Sequence, residues 1–418
     1  MPLPLPLSDN RRVQTPPSSI EPSAPNPAPT RLPRALYVMV GLLIITHTSF
    51  NGIRIATSLA AIKAGGGALW VGILTAMFNL VPAFLAIYVG RRVDRLPLRK
   101  PLVFGCLLAA AGGLVAAWQP MLWVLALCAS AIGIGWMVIA ASSQYAVGSY
   151  GSQAGSSELR VKAFSIMAMG FSVSSFLGPL IAGFMIDHVS FAAAFGVLAV
   201  LPLIAAAAFW SKRLLKLPSI AGKVADAPAG SASELLAVPI VRNTLITGAF
   251  ITIGWDLYLF MVPVLGTELK LTATQIGSVL SLFAVAVFAV RFMMPWLSKK
   301  LGERGVIVTA MVLAGSTFVA FAFAHSYSLM LVLSFIIGLG LGAAQPIVLS
   351  LLHGAAPPHR IGEVNGLRMT MISTSQWTMP LVFGVLSLTT GMLPLFLVVG
   401  GGLLSGSFFA KKKLPKDS

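Results

Sequence analysis

The chain has 418 residues, of which 57% are hydrophobic and only 10% charged, against about 25% charged in ordinary soluble domains. With that little polar surface and a mean hydropathy of +0.88, a water-soluble enzyme is excluded. A net charge of +17 would point to nucleic acid in a soluble chain. Here the Lys and Arg residues stand in short clusters between long apolar runs, the pattern of a membrane protein with basic loops on one side, and no nucleic acid is expected.

Residues 1–34 are rich in Pro and Ser and carry Arg11, Arg12, Arg31 and Arg34. They have too little apolar surface to offset chain entropy, which predicts a disordered cytoplasmic tail, and no secretory signal is visible in them. Apolar runs long enough to cross a bilayer, about twenty residues each, follow at roughly 35–62, 68–89, 101–118, 121–148, 162–186 and 190–211. A polar connector over 212–239, with Lys212, Arg213, Lys216 and Lys223, separates them from runs at roughly 240–266, 274–297, 305–325, 327–352, 366–388 and 391–410, before a basic tail over 411–418. The fold class is therefore all-α and membrane-integral, with about twelve crossings in two six-helix bundles, 35–211 and 240–410. Cys106 and Cys128 each lie within an apolar run and read as small buried hydrophobes rather than a disulfide.

Orientation follows from the positive charges. The clusters Arg91–Lys100, Arg160 with Lys162, Lys212–Lys223, Lys299–Arg304, Arg360 and Lys411–Lys413 with Lys416 alternate with loops in which only Lys63 and Lys270 are positive. Both termini and the connector are thus expected in the cytoplasm, and the chain in a bacterial-type inner membrane.

The two sets of runs repeat one another. Gly133-Ile134-Gly135 lies 205 residues before Gly338-Leu339-Gly340. The same offset carries Gly90 to Pro295, Asp94 and Arg95 to Lys299 and Lys300, Pro97 to Gly302, and Asn51 to Asp256. One offset that reconciles loops and spans predicts two structurally equivalent halves, as in many secondary transporters.

An ionisable side chain at the bilayer centre costs about 2.5–3.5 kcal/mol on insertion scales, so each one present needs a reason. His47, Asn51, Arg54 and Ser58 in the first span fall on one helix face. Arg54 precedes Lys63 by nine residues, about 13 Å from that membrane edge. Asp256 lies deep in the seventh span, and the offset places it at a similar depth in the other half. Arg54 and Asp256 are expected to face one central cavity, where each lowers the other's burial cost. Asn51, Trp255, Tyr258, Gln144, Gln345, Gln376 and Trp377 are further candidates for lining it, while Arg291, a turn before Pro295, reads as snorkelling and Arg368 as ambiguous. No phosphate-binding loop, metal-ligand spacing or nucleophile elbow occurs, so no enzyme activity, cofactor or metal is expected. GLGLGAA at 338–344 sits inside a span, where small residues serve helix packing.

The loop GRRVDRLPLRK, with Gly90, Asp94, Arg95, Arg99 and Lys100, resembles the signature loop between the second and third spans of the major facilitator superfamily; Pro97 replaces its usual second glycine. SVSSFLGPLIAG in the fifth span, through Ser174, Gly178, Pro179, Ala182 and Gly183, resembles the motif of that superfamily's drug/proton antiporters, and PPHRIGEVNG at 357–366 resembles its loop before the eleventh span. The arginine that many proton-coupled members carry in the fourth span is Ala129 here. The resemblance implies alternating access between two rocking halves, with the signature-loop and fifth-span residues acting in gating. The expectation is proton-coupled export of a small organic molecule by a monomer in the bilayer, with Asp256 carrying the proton. The alternatives are uptake of an anionic metabolite, with Arg54 as its partner, and a non-transporting membrane sensor built on a transporter fold.

Overall fold

The computed structural model describes residues 32–93, 97–153, 157–211, 232–355 and 361–415. The tail over 1–31, the connector over 212–231, and Asp94 and Arg95 of the signature loop lie outside the described residues. In lipid every backbone N–H and C=O must find a partner within the crossing segment, so long apolar runs become helices. The first half comprises α1 (Arg34–Lys63), α2 (Gly67–Val93), α3 (Arg99–Trp118), α4 (Leu122–Gln153), α5 (Ser157–His188) and α6 (Phe191–Trp210). The end of the connector forms a short helix, α7 (Ala232–Ala237). The second half comprises α8 (Pro239–Glu268), α9 (Ala273–Phe321), α10 (Tyr327–Ala355), α11 (Ile361–Thr390) and α12 (Met392–Lys413).

Among the described residues eleven helical segments are long and apolar enough to cross a membrane. Two of them, Ala273–Met294 and Trp296–Phe321, belong to α9. There the eighth and ninth predicted runs follow one another in a single element, broken where Gly302 adopts φ 70° and ψ 168°. Gly302 is the position that the repeat matches to Pro97, so both halves interrupt the chain at the same place, one with a proline and the other with a glycine at a positive φ that side chains rarely adopt. The twelfth crossing is α11, whose 30 residues reach about 45 Å at 1.5 Å per residue. Arg368, Ser373, Thr374, Ser375 and Gln376 make it less apolar than the others, and it packs against α2 and α8, away from a purely lipid surface. Twelve crossings return the chain to its starting face; this face is called the terminal face below, and the one bearing Lys63, His188 and Glu268 the far face.

The outer surface suits lipid. Phe292 (84% exposed), Phe84 (77%) and Phe408 (75%) point outward, a surface that water would not tolerate but that hydrocarbon does. Trp118 and Trp123 stand exposed near the far face, and Trp210 and Trp296 near the terminal face, as interfacial tryptophans do.

Packing repeats between the halves to the residue. A Cβ on Gly133 would overlap the carbonyl oxygen of Phe78, and one on Gly338 would lie 2.6 Å from that of Phe283. Phe78 and Phe283 are themselves 205 positions apart. A Cβ on Gly135 would lie 2.6 Å from the Gly105 carbonyl oxygen, and one on Gly340 2.8 Å from that of Ala310. α4 thus crosses α2 and α3 as α10 crosses the two segments of α9, with backbones closer than any side chain allows. The basic loops repeat as well. Arg99 donates to the carbonyl oxygens of Phe209 and of Trp210 (2.8 Å) at the end of α6. Arg304, its counterpart at the same offset, donates to the Lys411 carbonyl (3.3 Å) near the end of α12. A guanidinium at a helix C-terminus satisfies orphan carbonyls and complements the helix dipole. Each half is closed by one such clamp.

Candidate functional site

His47, Asn51 and Arg54 occupy the middle of α1, Arg54 being its twenty-first residue of 30; Asp256 is the eighteenth of 30 in α8. The two helices approach each other between the halves. Asp256 is buried and accepts a hydrogen bond from the Ser375 hydroxyl of α11 (3.1 Å). Arg54 and Asp256 interact electrostatically across the gap, with no ion pair closer than 4.0 Å among the described residues. The Arg54 guanidinium lies 5.8 Å from the centre of the Phe50 ring and donates to no acceptor among the described residues. Ser58, on the same face, turns its hydroxyl back onto the Arg54 carbonyl (3.0 Å) and is spent on its own helix.

Two turns from Arg54 towards the terminal face, His47 joins α1 to α5. Its Nδ1 lies 2.5 Å from the Ser174 hydroxyl, and the Asn51 amide nitrogen lies 3.3 Å from its Nε2. One proton placement satisfies the set: Nδ1–H donates to Ser174, Ser174 donates to the Phe171 carbonyl (2.9 Å), and Asn51 donates to Nε2. Trp136 and Phe171 flank the ring at 4.6 and 4.7 Å between centroids. Ser174, read from the sequence as a gating residue, therefore holds the histidine beside the Arg54 site. That link, and Ser375, escaped the sequence reading; helical periodicity had put His47 on the correct face, but a partner 127 positions away has no local signal.

The other expected lining residues divide. Trp255 makes an edge contact with Phe283 (4.8 Å). Tyr258 is fully buried within the second half, where it donates to Ser334 (2.8 Å) and stacks on Phe283 (4.3 Å). Gln376 and Trp377 are half-buried beside Ser375, and Gln144 is exposed on α4. Gln345 accepts from Arg368 (3.2 Å), the residue that the sequence leaves ambiguous, and the two form a second polar spot. Arg291 does not snorkel: it reaches across the halves to donate to Ser172 of α5 (3.3 Å), leaving its Nε buried without a partner.

The fifth-span motif serves two interfaces. Gly178 abuts α1, where an added Cβ would lie 2.8 Å from the Gly52 nitrogen and the Thr48 carbonyl oxygen. Ala182 is buried, and Pro179 and Gly183 face the other half. A Cβ on Gly277 of α9 would overlap the Pro179 carbonyl and reach the Gly183 Cα at 3.6 Å. On the opposite side of the molecule a Cβ on Gly72 of α2 would overlap the Pro380 carbonyl and reach the Gly384 Cα at 3.3 Å. Gly72 and Gly277 are 205 positions apart, while Pro179–Gly183 and Pro380–Gly384 are 201 apart. The fifth-span motif is thus half of a symmetric pair of clasps. Asp187 adds a latch at the end of α5, its two carboxylate oxygens accepting from the first amides of α9, Ala273 (3.0 Å) and Thr274 (2.6 Å). In the signature loop, Gly90 lies in α2, Arg99 forms the clamp described above, and Lys100 is exposed.

Contacts between the halves involve α1, α2, α5, α8, α9 and α11, whereas α4 and α10 pack on their own halves among the described residues. The clasps and the latch all lie towards the far face. The halves are therefore joined there, and the Arg291–Ser172 hydrogen bond joins them again on the terminal side of the polar site.

No curated protein sequence matches the chain. Among solved structures, a bacterial homologue of the human lysosomal transporter Spinster, in an inward-facing and unoccupied conformation, superposes with a TM-score of 0.73 at 14% identity, covering 92% of this chain and 99% of its own. The POT family transporter PepTSo gives 0.74 at 13%, covering 92% and 98%, and a peptide transporter POT gives 0.73 at 17%, covering 90% and 93%. These likenesses establish the fold. The family pattern of the Major Facilitator Superfamily matches residues 37–252 and 244–418, nearly the whole folded chain. With two matching halves, twelve crossings and a polar site between them, this chain belongs to the Major Facilitator Superfamily.

Proposed function

We propose that the protein is a proton-coupled secondary transporter that exports a small organic molecule, acting as a monomer in a bacterial-type inner membrane. The Lys- and Arg-rich terminal face would lie in the cytoplasm, as the distribution of positive charge favours, and the clasps at the far face support an inward-facing reading of the present arrangement. The observation that carries this reading is the buried Asp256, placed at mid-depth opposite an Arg54 to which it is not directly paired. As a carboxylate, Asp256 attracts Arg54 and favours approach of α1 to α8. As a neutral acid it loses that attraction, and the Ser375 hydroxyl remains its neighbour. A proton taken from one side and released to the other therefore biases the two arrangements of the halves in opposite directions.

Asp256→Asn keeps the shape and removes the titration. In everted vesicles energised by a proton gradient, with ethidium and benzoate as cationic and aromatic anionic probes, the wild type is expected to accumulate at least one probe against its gradient. The variant is expected to lose at least ten-fold of that uphill rate while retaining probe exchange down a gradient. Uphill transport at the wild-type rate in Asp256→Asn contradicts the assignment.

Uptake of an anionic metabolite is favoured by one observation, that Arg54 donates to no acceptor among the described residues and so offers a two-pronged guanidinium to a carboxylate or phosphate. Intact cells that gain benzoate rather than lose it would establish that direction.

A further inference from the structure

The second polar spot lies on the same faces of the same helices as the first. Gly248, Thr252 and Asp256 follow at i, i+4 and i+8 along α8; Arg368, Met371 and Ser375 follow at i, i+3 and i+7 along α11. Because Ser375 and Asp256 meet, Arg368 and Gly248 fall seven and eight residues nearer the terminal face, about 10 Å along the axis. There α8, α10 and α11 form a small, partly open cleft lined by Gly248, Ile251, Thr252, Gln345, Val348, Arg368 and Met371. A Cβ on Gly248 would lie 3.0 Å from the Val348 side chain, so glycine lets α8 and α10 pack closely beside the cleft. The Arg368 guanidinium has five N–H donors and uses one nitrogen on Gln345, with no other acceptor among the described residues. No carboxylate lines the cleft. The guanidinium is half-buried, and with donors unspent on protein it can pair with an anion that enters the cleft.

We propose that this cleft is a second anion-binding site, a waiting station that takes the carboxylate or phosphate group of the transported molecule on the terminal-face side of the Asp256 site. The guanidinium supplies two parallel donors to such a group; Thr252 offers a hydroxyl, and Ile251, Val348 and Met371 accept a short apolar body. Gln345 is the residue displaced, its acceptor exchanging for the ligand's while its amide turns to donate. The role as a station rests on the transport reading, but the binding site does not: it is tested without a gradient, so failure of anion binding and failure of proton coupling are separate results.

The test is thermal unfolding of the detergent-purified full chain with benzoate, its neutral isostere benzamide, or inorganic phosphate, since a ligand bound to the folded state raises apparent stability. Benzoate or phosphate is expected to raise the unfolding temperature saturably, and benzamide to leave it unchanged. Arg368→Gln is expected to weaken the anion's half-saturation at least ten-fold, Arg368→Lys to keep part of the affinity, and Arg54→Gln to retain the Arg368-dependent response. If Arg368→Gln does not fold, Gln345→Leu, which leaves the guanidinium without its protein acceptor, is expected to tighten the anion response. A response to phosphatidylglycerol that Arg368→Gln abolishes, with benzoate inert, would assign the same guanidinium to a lipid phosphate and overturn the waiting station. An equal response to benzamide, or half-saturation unchanged in Arg368→Gln, overturns the site altogether.

Discussion

Leucine at both Gly72 and Gly277 is expected to force the far face open. A single Cβ at either position already overlaps a proline carbonyl of the opposite half, and neither Pro380 nor Pro179 can withdraw without moving α11 or α5 as a body. Overpacking of this kind costs about 1–3 kcal/mol per site. Two symmetric sites then disfavour the closed far face by about 2–6 kcal/mol, where about 1.4 kcal/mol is a factor of ten in population. The strain disappears when the halves part, so the folded chain survives while its resting arrangement inverts. A cysteine at Ala273, beside the Asp187 latch, is expected to be protected from a membrane-impermeant maleimide in the otherwise unchanged chain. It should react at least ten-fold faster when both leucines are present, and transport of the probes should fall by a similar factor. The native Cys106 and Cys128 are buried and interfere little. Equal labelling in the two backgrounds would show that the clasps do not hold the closure.

Reversing the charges at the central site has the second large effect. Arg54→Asp sets two acids, and Asp256→Arg two guanidinium groups, into the gap where Arg54 and Asp256 attract one another. Each single reversal strands a like-charge pair in a region of low dielectric, a change costing about 3–5 kcal/mol when a buried pair is broken. Either is expected to reduce folded yield several-fold and to abolish measurable transport. Exchanging both restores the attraction, and folded yield should return to within two-fold of the wild type. Transport should recover only in part, because Ser375 then donates to no carboxylate at position 256. A double variant no better folded than the worse single one would mean that the two residues do not face each other. The cycle isolates their coupling from the cost of each substitution alone.

The fold was legible because the solvent is lipid. Apolar runs alone placed the helix ends within a few residues, and the repeat offset paired Gly133 with Gly338 before their identical contacts were known. As a Major Facilitator chain it is a membrane transport protein rather than an enzyme. The depth of Arg54 and Asp256 was readable because rise per residue is constant in a helix; their mutual approach rested on the same offset. Azimuth was less well read. Tyr258 stands two residues, about 200° around the helix, from Asp256 and cannot share its face, which is why it packs within the second half. Side-chain pairs between distant helices, such as His47 with Ser174 or Asp256 with Ser375, leave no periodic trace. The second Pro–Gly clasp was hidden for a different reason. Its offset is 201 rather than 205, so a single register passes over it, although the spacing Pro-x-x-x-Gly is the same in α5 and α11. Arg291 was misjudged because Pro295 suggested a membrane edge, whereas its side chain runs inward to Ser172.

Two halves that rock about the Arg54–Asp256 level must open their two faces in opposition. Spin labels at His188 and Lys270 on the far face, and at Trp210 and Lys413 on the terminal face, all exposed positions, report the separation of the halves at either end. When the Gly72 and Gly277 leucines are introduced, the far-face distance is predicted to lengthen while the terminal-face distance shortens. Distances that stay fixed, or that lengthen together, would contradict a rocking motion about that level.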